Sequence, residues 1–121
     1  MVRIKSANTI LYCKKWEAMV DFYQSMLGLK ILFSKDWFIE FELSDSSRIS
    51  IANEAKTSVK SSGGNGLTLT FEVDNLNEVH TSLLKSGANP DKITDHVWGA
   101  KVFYVYDPEG NRLEFWSSTN K

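Results

Sequence analysis

DPEGNRLEFW, the stretch from Asp107 to Trp116, joins a tight turn to a short strand. Pro108 fixes one backbone angle and Gly110 supplies conformational freedom, so the first half predicts a turn. The second half alternates as a strand does, with Leu113 and Phe115 on one face and Arg112, Glu114 and Trp116 on the other. A carboxylate in the middle of a strand raises the question of what it faces: water, a metal ion or a ligand.

Composition limits the possible functions. The chain has 121 residues, 42% of them hydrophobic, and a net charge of −1, which suits one compact globular domain. Basic residues do not cluster beyond Lys14 and Lys15, so we expect no nucleic-acid partner. The single cysteine, Cys13, excludes an intrachain disulfide and a multi-cysteine zinc site.

No targeting or membrane segment is visible in the sequence. The opening MVRIKSANTI lacks the apolar core of a signal peptide, and no apolar run is long enough to span a bilayer. We therefore expect a cytoplasmic protein that has no membrane partner.

The first half of the chain combines one helix with several strands. ANTILYC (7–13) is a strand candidate, and an apolar stripe at helical spacing runs from Trp16 to Leu27, where Gly28 ends it. The segments DWFIEFEL (36–43) and RISIAN (48–53) then alternate as strands do.

The second half repeats this order after a glycine-rich segment, SVKSSGGNG (58–66), which we interpret as a linker. LTLTFEV (67–73) alternates, NLNE (75–78) predicts a capped helix start, and Gly87 predicts the helix end. The strands KVFYVY (101–106) and RLEFW (112–116) follow. The pattern predicts a module over about 1–57 and a second over about 67–121 within one domain.

Four segments together carry a family resemblance: VDFYQSMLGLK (20–30), FEVDNLNEV (71–79), WG (98–99) and DPEGNRLEF (107–115). Their order and spacing resemble the vicinal oxygen chelate superfamily of glyoxalases, bleomycin- and fosfomycin-resistance proteins and extradiol dioxygenases. The resemblance covers nearly the whole chain. It implies an α+β fold in which two paired β-α-β-β-β modules form a curved mixed sheet around a cleft. It also implies a homodimer.

The resemblance further implies which positions would hold a metal. Its enzymes place histidine or carboxylate ligands on strands, and the matching positions here are Asn8, Ser50, Thr68 and Glu114. Only Glu114 is a strong ligand, because neutral amide and hydroxyl oxygens bind transition metals weakly. We therefore expect no metal and no other cofactor, and we take Glu114 as the candidate catalytic residue if there is chemistry.

The expected cleft lining follows from strand parity. If the DPEG turn pairs Tyr106 with Asn111, Phe103 lies opposite Glu114, and the resulting surface is aromatic and rich in carboxylates. Such a surface favours a small aromatic or cationic ligand over an anion. The expected ligand-binding residues are Asn8, Phe38, Thr68, Trp98, Phe103, Arg112, Glu114 and Trp116.

Several alternatives stay open at this point. Besides a binding protein of the bleomycin-resistance type, the sequence allows a metal-dependent lyase or dioxygenase, an enzyme that uses Glu114 as a general base, or a partner protein with a vestigial cleft. Glu114 could also form an ion pair with Lys101 or Arg112, and Trp98 could fill a gap in the core. The two modules could pair within one chain or between two chains.

Overall fold

The computed structural model describes residues 1–96 and 99–119. It divides into two compact units, Met1–Ser62 (unit 1) and Gly63–Lys121 (unit 2), and the division falls within the glycine-rich segment 58–66. No helix among the described residues is both long and apolar enough to cross a membrane.

Unit 1 is a four-stranded sheet with one helical segment between its first two strands and a short 3-10 helix, Glu54–Lys56, after its last strand. Its elements are β1 (Ala7–Cys13), α1 (Trp16–Asp21), β2 (Ile31–Lys35), β3 (Phe38–Ser44) and β4 (Ser47–Asn53). The strand order is β1-β4-β3-β2, in which β1 runs parallel to β4 and the other neighbours are antiparallel.

The predicted helix from Trp16 to Leu27 changes its winding halfway. After α1 the chain continues as a π-helical turn over Phe22–Met26, where the N–H of Leu27 donates to the carbonyl of Phe22 at 2.9 Å. The helical segment buries Met19, Phe22 and Tyr23, and Gly28 follows it with a φ of 70°. The residue that ends this segment was therefore predicted correctly, whereas the wide turn was not.

Unit 2 repeats the arrangement. Its elements are β5 (Thr68–Glu72), α2 (Leu76–Ser86), β6 (Thr94–His96), β7 (Ala100–Tyr106) and β8 (Arg112–Ser118), with strand order β5-β8-β7-β6. Again the first strand is parallel to the last and the others are antiparallel. The α+β class and the two β-α-β-β-β modules are thus confirmed.

Both ends of α2 form as the sequence predicts. The side-chain oxygen of Asn75 accepts a hydrogen bond from the backbone N–H of Glu78 at 3.1 Å, and Gly87 adopts a left-handed φ of 86°. Leu76 and Leu83 on the helix are buried. The helix packs against β7 and β8, so the core of unit 2 lies on one side of its sheet.

The register of the β7–β8 hairpin differs from the prediction by one residue. The N–H of Asp107 donates to the carbonyl of Asn111 at 3.0 Å, so the turn holds three residues instead of four. The cause is the Asp107 carboxylate, which accepts from the N–H groups of Glu109 and Asn111 and from the Asn111 side-chain amide at 2.9–3.0 Å. The predicted pairing of Tyr106 with Asn111 is therefore wrong.

The corrected register moves Phe103 into the core. Phe103 pairs with Phe115 and is completely buried, with its ring stacked at 5.3 Å on Phe115 and edge-on to His80 at 4.8 Å. The residue opposite Glu114 is Tyr104. The prediction that Phe103 lies beside Glu114 as a ligand-binding residue is thus wrong, because a shift of one residue exchanges the two faces of a strand.

A close backbone contact holds the glycine-rich segment against the hairpin turn. A side chain at Gly64, which has a φ of 83°, would overlap with the backbone of Gly110, whereas a side chain at Gly66 would meet open space at a φ of 74°. Position 64 therefore requires glycine, because its φ is positive and because there is no room for a Cβ atom.

We predict that Gly64→Ala destabilises the protein by at least about 1 kcal/mol more than Gly66→Ala. Both variants force alanine into left-handed backbone, but only the first adds a steric overlap. Urea unfolding of the two variants measures the difference. Equal losses would show that the contact between Gly64 and Gly110 does not constrain the fold.

Candidate functional site

One face of the unit 2 sheet, turned away from α2, carries three rows of side chains set by strand register. We call it the Glu114 face. Each row takes one residue from β5, one from β8 and one from β7. In order along the strands, the rows are Thr68, Arg112 and Tyr106; Thr70, Glu114 and Tyr104; and Glu72, Trp116 and Val102.

Glu114 occupies the centre of this face and is half-buried. The hydroxyl of Thr70 donates to its Oε1 at 2.6 Å, and the hydroxyl of Tyr104 donates to its Oε2 at 3.1 Å. Both partners are neutral hydroxyl groups, so they hold the carboxyl group in place without forming an ion pair with it. Each carboxylate oxygen keeps the capacity to accept a further hydrogen bond.

Tyr104 is suited to remain a hydrogen-bond donor. Partial burial raises the pKa of its phenol above the ordinary value, and the hydrogen bond and the charge of Glu114 raise it further, with Arg112 opposing them. A raised pKa keeps the hydroxyl protonated at neutral pH. The hydroxyl therefore keeps the proton that it donates to Glu114.

Arg112 is fixed on two sides. Its Nε donates to the hydroxyl of Thr68 at 3.0 Å, and its guanidinium lies over the ring of Tyr104, 4.7 Å from the centroid. Stacking on an aromatic ring and a single hydrogen bond together hold the planar group in one orientation. Tyr104 therefore contacts both Arg112 and Glu114.

A pocket of about 260 Å³ opens beside Glu114 and Trp116. Its other described lining residues come from β6, from the residue before β7, from β7 itself and from the end of β8: His96, Gly99, Ala100, Val102 and Ser118. One carboxylate, one indole and an imidazole thus line a small cavity whose remaining wall is mostly small or apolar residues. Concave sites with a few placed polar groups are the usual form of small-molecule sites.

Sequence reasoning missed two residues of this site. Tyr104 was assigned to the wrong face by the register error, although the Asp107 and Asn111 pair was a signal for the shorter turn. The second is His96, which ends β6 and lines the pocket. A three-residue, fully exposed strand has no hydrophobic alternation by which it could be found.

The unit 1 sheet carries the corresponding rows at the same registers. There Asn8, Arg48 and Glu42 form one row, Ile10, Ser50 and Glu40 the next, and Tyr12, Ala52 and Phe38 the third. Ser50 thus occupies the position that Glu114 has in unit 2. It is buried and donates to the side-chain oxygen of Asn8 at 2.9 Å.

The structure brings some predicted site residues together and separates others. It places four of the eight on the Glu114 face: Thr68, Arg112, Glu114 and Trp116. Asn8 is exposed on β1 of unit 1, and Phe38 is half-buried on β3, with its ring near those of Phe33 and Trp37. Trp98 lies outside the described residues.

The donor set at the four implied metal positions does not fit a transition metal. The Thr68 hydroxyl accepts from Arg112, the Asn8 oxygen accepts from Ser50, and Glu114 alone carries charge. Within residues 1–96 and 99–119, no three side chains of His, Cys, Asp or Glu are grouped as a metal site requires. Zinc and related ions require imidazole, thiolate or several carboxylates.

Comparison with protein families identifies this architecture. The model of the Glyoxalase/Bleomycin resistance protein/Dioxygenase superfamily matches residues 4–115. The chain belongs to this superfamily. The resemblance drawn from the four sequence segments is thereby confirmed. Comparison with proteins of curated function gives no match.

Solved structures of other superfamily members share the fold. A glyoxalase/bleomycin resistance protein/dioxygenase from Nocardioides aligns over 99% of this chain and 87% of its own, with a TM-score of 0.80 and 19% identity. A lactoylglutathione lyase from Agrobacterium tumefaciens aligns over 93% and 92%, with a TM-score of 0.74 and 17% identity. A glyoxalase family protein from Enterococcus faecalis aligns over 94% and 96%, with a TM-score of 0.70 and 22% identity.

We predict that Tyr104 in this superfamily member ionises above pH 10. Its neutral form is favoured in the folded protein, so the hydroxyl titrates later than in a free tyrosine. Absorbance titration near 295 nm of the wild type minus that of Tyr104→Phe isolates this residue from the other tyrosines.

In Glu114→Gln the midpoint should fall but stay above that of an exposed tyrosine, because burial is the largest cause of the shift. A wild-type difference curve with its midpoint below 10 would contradict the hydrogen-bonded arrangement.

Proposed function

We propose that this protein binds a small molecule with an aromatic ring and a cationic group in the unit 2 pocket, without a metal. The observation that supports the proposal most directly is the Glu114 carboxylate, which two neutral hydroxyls hold beside Trp116 at the wall of the pocket. The proposal makes the protein a binding member of the superfamily.

The charge of Glu114 is the first argument. Lys101, one of the two ion-pair partners that the sequence suggested, instead pairs with Asp95 at 2.9 Å, and Arg112 donates to Thr68. Among the described residues, no cationic group lies within ion-pair distance of Glu114. A half-buried carboxylate without a cationic neighbour in contact favours a cationic ligand, because the ligand can supply the missing charge.

Trp116 and the pocket size are the second argument. The indole faces the same cavity as Glu114, and aromatic faces attract both rings and cations. A volume of about 260 Å³ lies below the range typical of drug-sized ligands. The pocket therefore favours a ligand with one ring or two fused rings.

The side chains on the Glu114 face are the reason why we propose binding without a metal. Arg112 lies against Thr68, so a cation at that hydroxyl would meet a guanidinium. A metal bound at Thr68 would have one carboxylate nearby, that of Glu114 in the next row. Glu72 lies one row further along the Glu114 face. We therefore propose that ligand binding needs no metal.

We predict that benzylamine binds and that Trp116→Ala weakens its binding by about 1–3 kcal/mol, the range for a lost buried aromatic contact. Glu114→Gln should weaken it as well, because the amide keeps the size but not the charge. Isothermal titration calorimetry on chelator-treated protein measures both effects, and elemental analysis of untreated protein should give far less than one metal per chain.

Two variants on unit 1 serve as controls. Trp37→Ala removes an indole and Glu17→Gln removes a carboxylate, and neither residue lies on the Glu114 face. Both should leave benzylamine affinity unchanged. Binding that survives Glu114→Gln and Trp116→Ala, or that disappears with a stoichiometric metal on chelation, would contradict the proposal.

We also propose that the protein is a homodimer. Apolar side chains remain exposed on the unit 1 sheet: Ile10 is 39% exposed and Phe33 is 48% exposed. In a two-fold symmetric dimer the same surface of each copy faces the other, so a second copy can cover these exposed residues on both chains at once.

We predict a sedimentation mass near twice 13.8 kDa at micromolar concentration. Phe33→Glu should shift the equilibrium toward monomer, since it places a charge in the covered surface. Leu84→Glu, at a residue of α2 that is 54% exposed, should not. A monomer mass for the wild type across the micromolar range would contradict the dimer.

A further inference from the structure

We propose that Arg112 binds an oxyanion group of the ligand, so that the ligand carries a carboxylate or similar group in addition to its amine. The inference deepens the proposed function and concerns a second pocket of about 420 Å³. This pocket is lined by Arg112 together with Thr68, Tyr106, Leu67, Gly64, Gly66 and Gly110.

The guanidinium of Arg112 is held in place, but its two Nη nitrogens remain available to donate hydrogen bonds. Its Nε donates to Thr68 and its face rests on Tyr104, while no described residue accepts from either Nη nitrogen. No carboxylate among the described residues forms an ion pair with it. Two parallel Nη–H groups on a rigid guanidinium match the two oxygens of a carboxylate.

The corresponding arginine of unit 1, Arg48, has a structural role that Arg112 lacks. Arg48 stands opposite Asn8 as Arg112 stands opposite Thr68. Its Nη1 donates to the backbone carbonyls of Ser44, Asp45 and Ser47 at 2.8–3.3 Å, and its Nε lies 3.5 Å from Glu40. Arg48 thus ties down the turn between β3 and β4.

Arg112 does not stabilise the corresponding turn of unit 2, because another residue does so. Between β7 and β8 the Asp107 carboxylate accepts the backbone hydrogen bonds of the turn. Asp107 and Asn111 are both buried there. The arginine at the same register is therefore released toward the pocket beside the glycine-rich segment.

The spacing of the two charges defines the ligand more closely. The backbones of Arg112 and Glu114 are about 6.6 Å apart along the strand. Tyr104 contacts both side chains, so a ligand ring that reaches both charges lies over Tyr104, on the side of Glu114 opposite Trp116. An amine and a carboxylate at opposite ends of one benzene ring have a comparable separation. Because Glu114 repels a lone anion, the carboxylate should add affinity mainly as part of such an amphoteric molecule.

Three probes separate the two halves of the site: benzylamine, benzoate and 4-(aminomethyl)benzoate. For the wild type, calorimetry should give at least about tenfold tighter binding of 4-(aminomethyl)benzoate than of benzylamine, the gain expected from charge-assisted hydrogen bonds. In Arg112→Gln this advantage should disappear. In Arg112→Lys it should be reduced, because lysine keeps the charge but lacks the planar fork.

Lys101→Gln is the matched control for charge. It removes one positive charge from the same unit, but Lys101 pairs with Asp95 and lies outside both pockets. The tenfold advantage should persist in this variant. Thermal unfolding of each variant identifies any that fails to fold, and the Nε–H signal of Arg112 in the wild type should shift on addition of 4-(aminomethyl)benzoate.

The possible outcomes distinguish this inference from the proposed function. Equal wild-type affinities for benzylamine and 4-(aminomethyl)benzoate, an advantage that survives Arg112→Gln, or an unmoved Arg112 signal would each overturn the inference. Benzylamine binding that depends on Glu114 and Trp116 would still support the proposed function. Conversely, Arg112-dependent binding of benzoate without any binding of benzylamine would overturn both the cationic ligand and the amphoteric ligand inferred here, and would leave Arg112 as an anion site only.

Discussion

The carboxylate of Asp107 is the interaction on which the Glu114 face depends. Buried at the end of β7, it accepts hydrogen bonds from two backbone N–H groups and from the Asn111 amide. These bonds set the length of the turn, and the turn length sets the register of β7 against β8. A slip of one residue would move Tyr104 away from Glu114 and bring buried Phe103 in its place.

From that register follows the chemistry of the face. Tyr104 can reach Glu114 only because the two residues are direct cross-strand neighbours, and Thr70 completes the arrangement from the parallel strand β5. The same phenol ring supports the Arg112 guanidinium. Tyr104 therefore links an acidic and a basic residue that do not pair with each other, which keeps both charges available.

The sequence predicts those parts of the molecule that depend on local patterns. Hydrophobic alternation located β3, β5 and β8, and the residues at the ends of α2 identified its start and its end because caps act through neighbouring backbone groups. The turn register depended on a side chain whose burial is a tertiary property, so strand parity alone placed Phe103 wrongly. The exposed strand β6 has no periodic signal at all, and the helical stripe over 16–27 does not distinguish the π-helical turn at Phe22–Met26 from an ordinary helix.

The matched rows of the two sheets also bear on how this molecule can evolve. In unit 1 the row residues Asn8, Ser50 and Arg48 serve the local scaffold through their own hydrogen bonds. In unit 2 Asp107 secures the turn, so Arg112 is free of that task, while Thr68 and Glu114 form hydrogen bonds with other residues of the face. A substitution of Arg112 therefore leaves the turn contacts intact, whereas the same change at Arg48 removes the hydrogen bonds that tie down the turn of unit 1. A repeated module thus gives the chain one conservative copy and one that tolerates change.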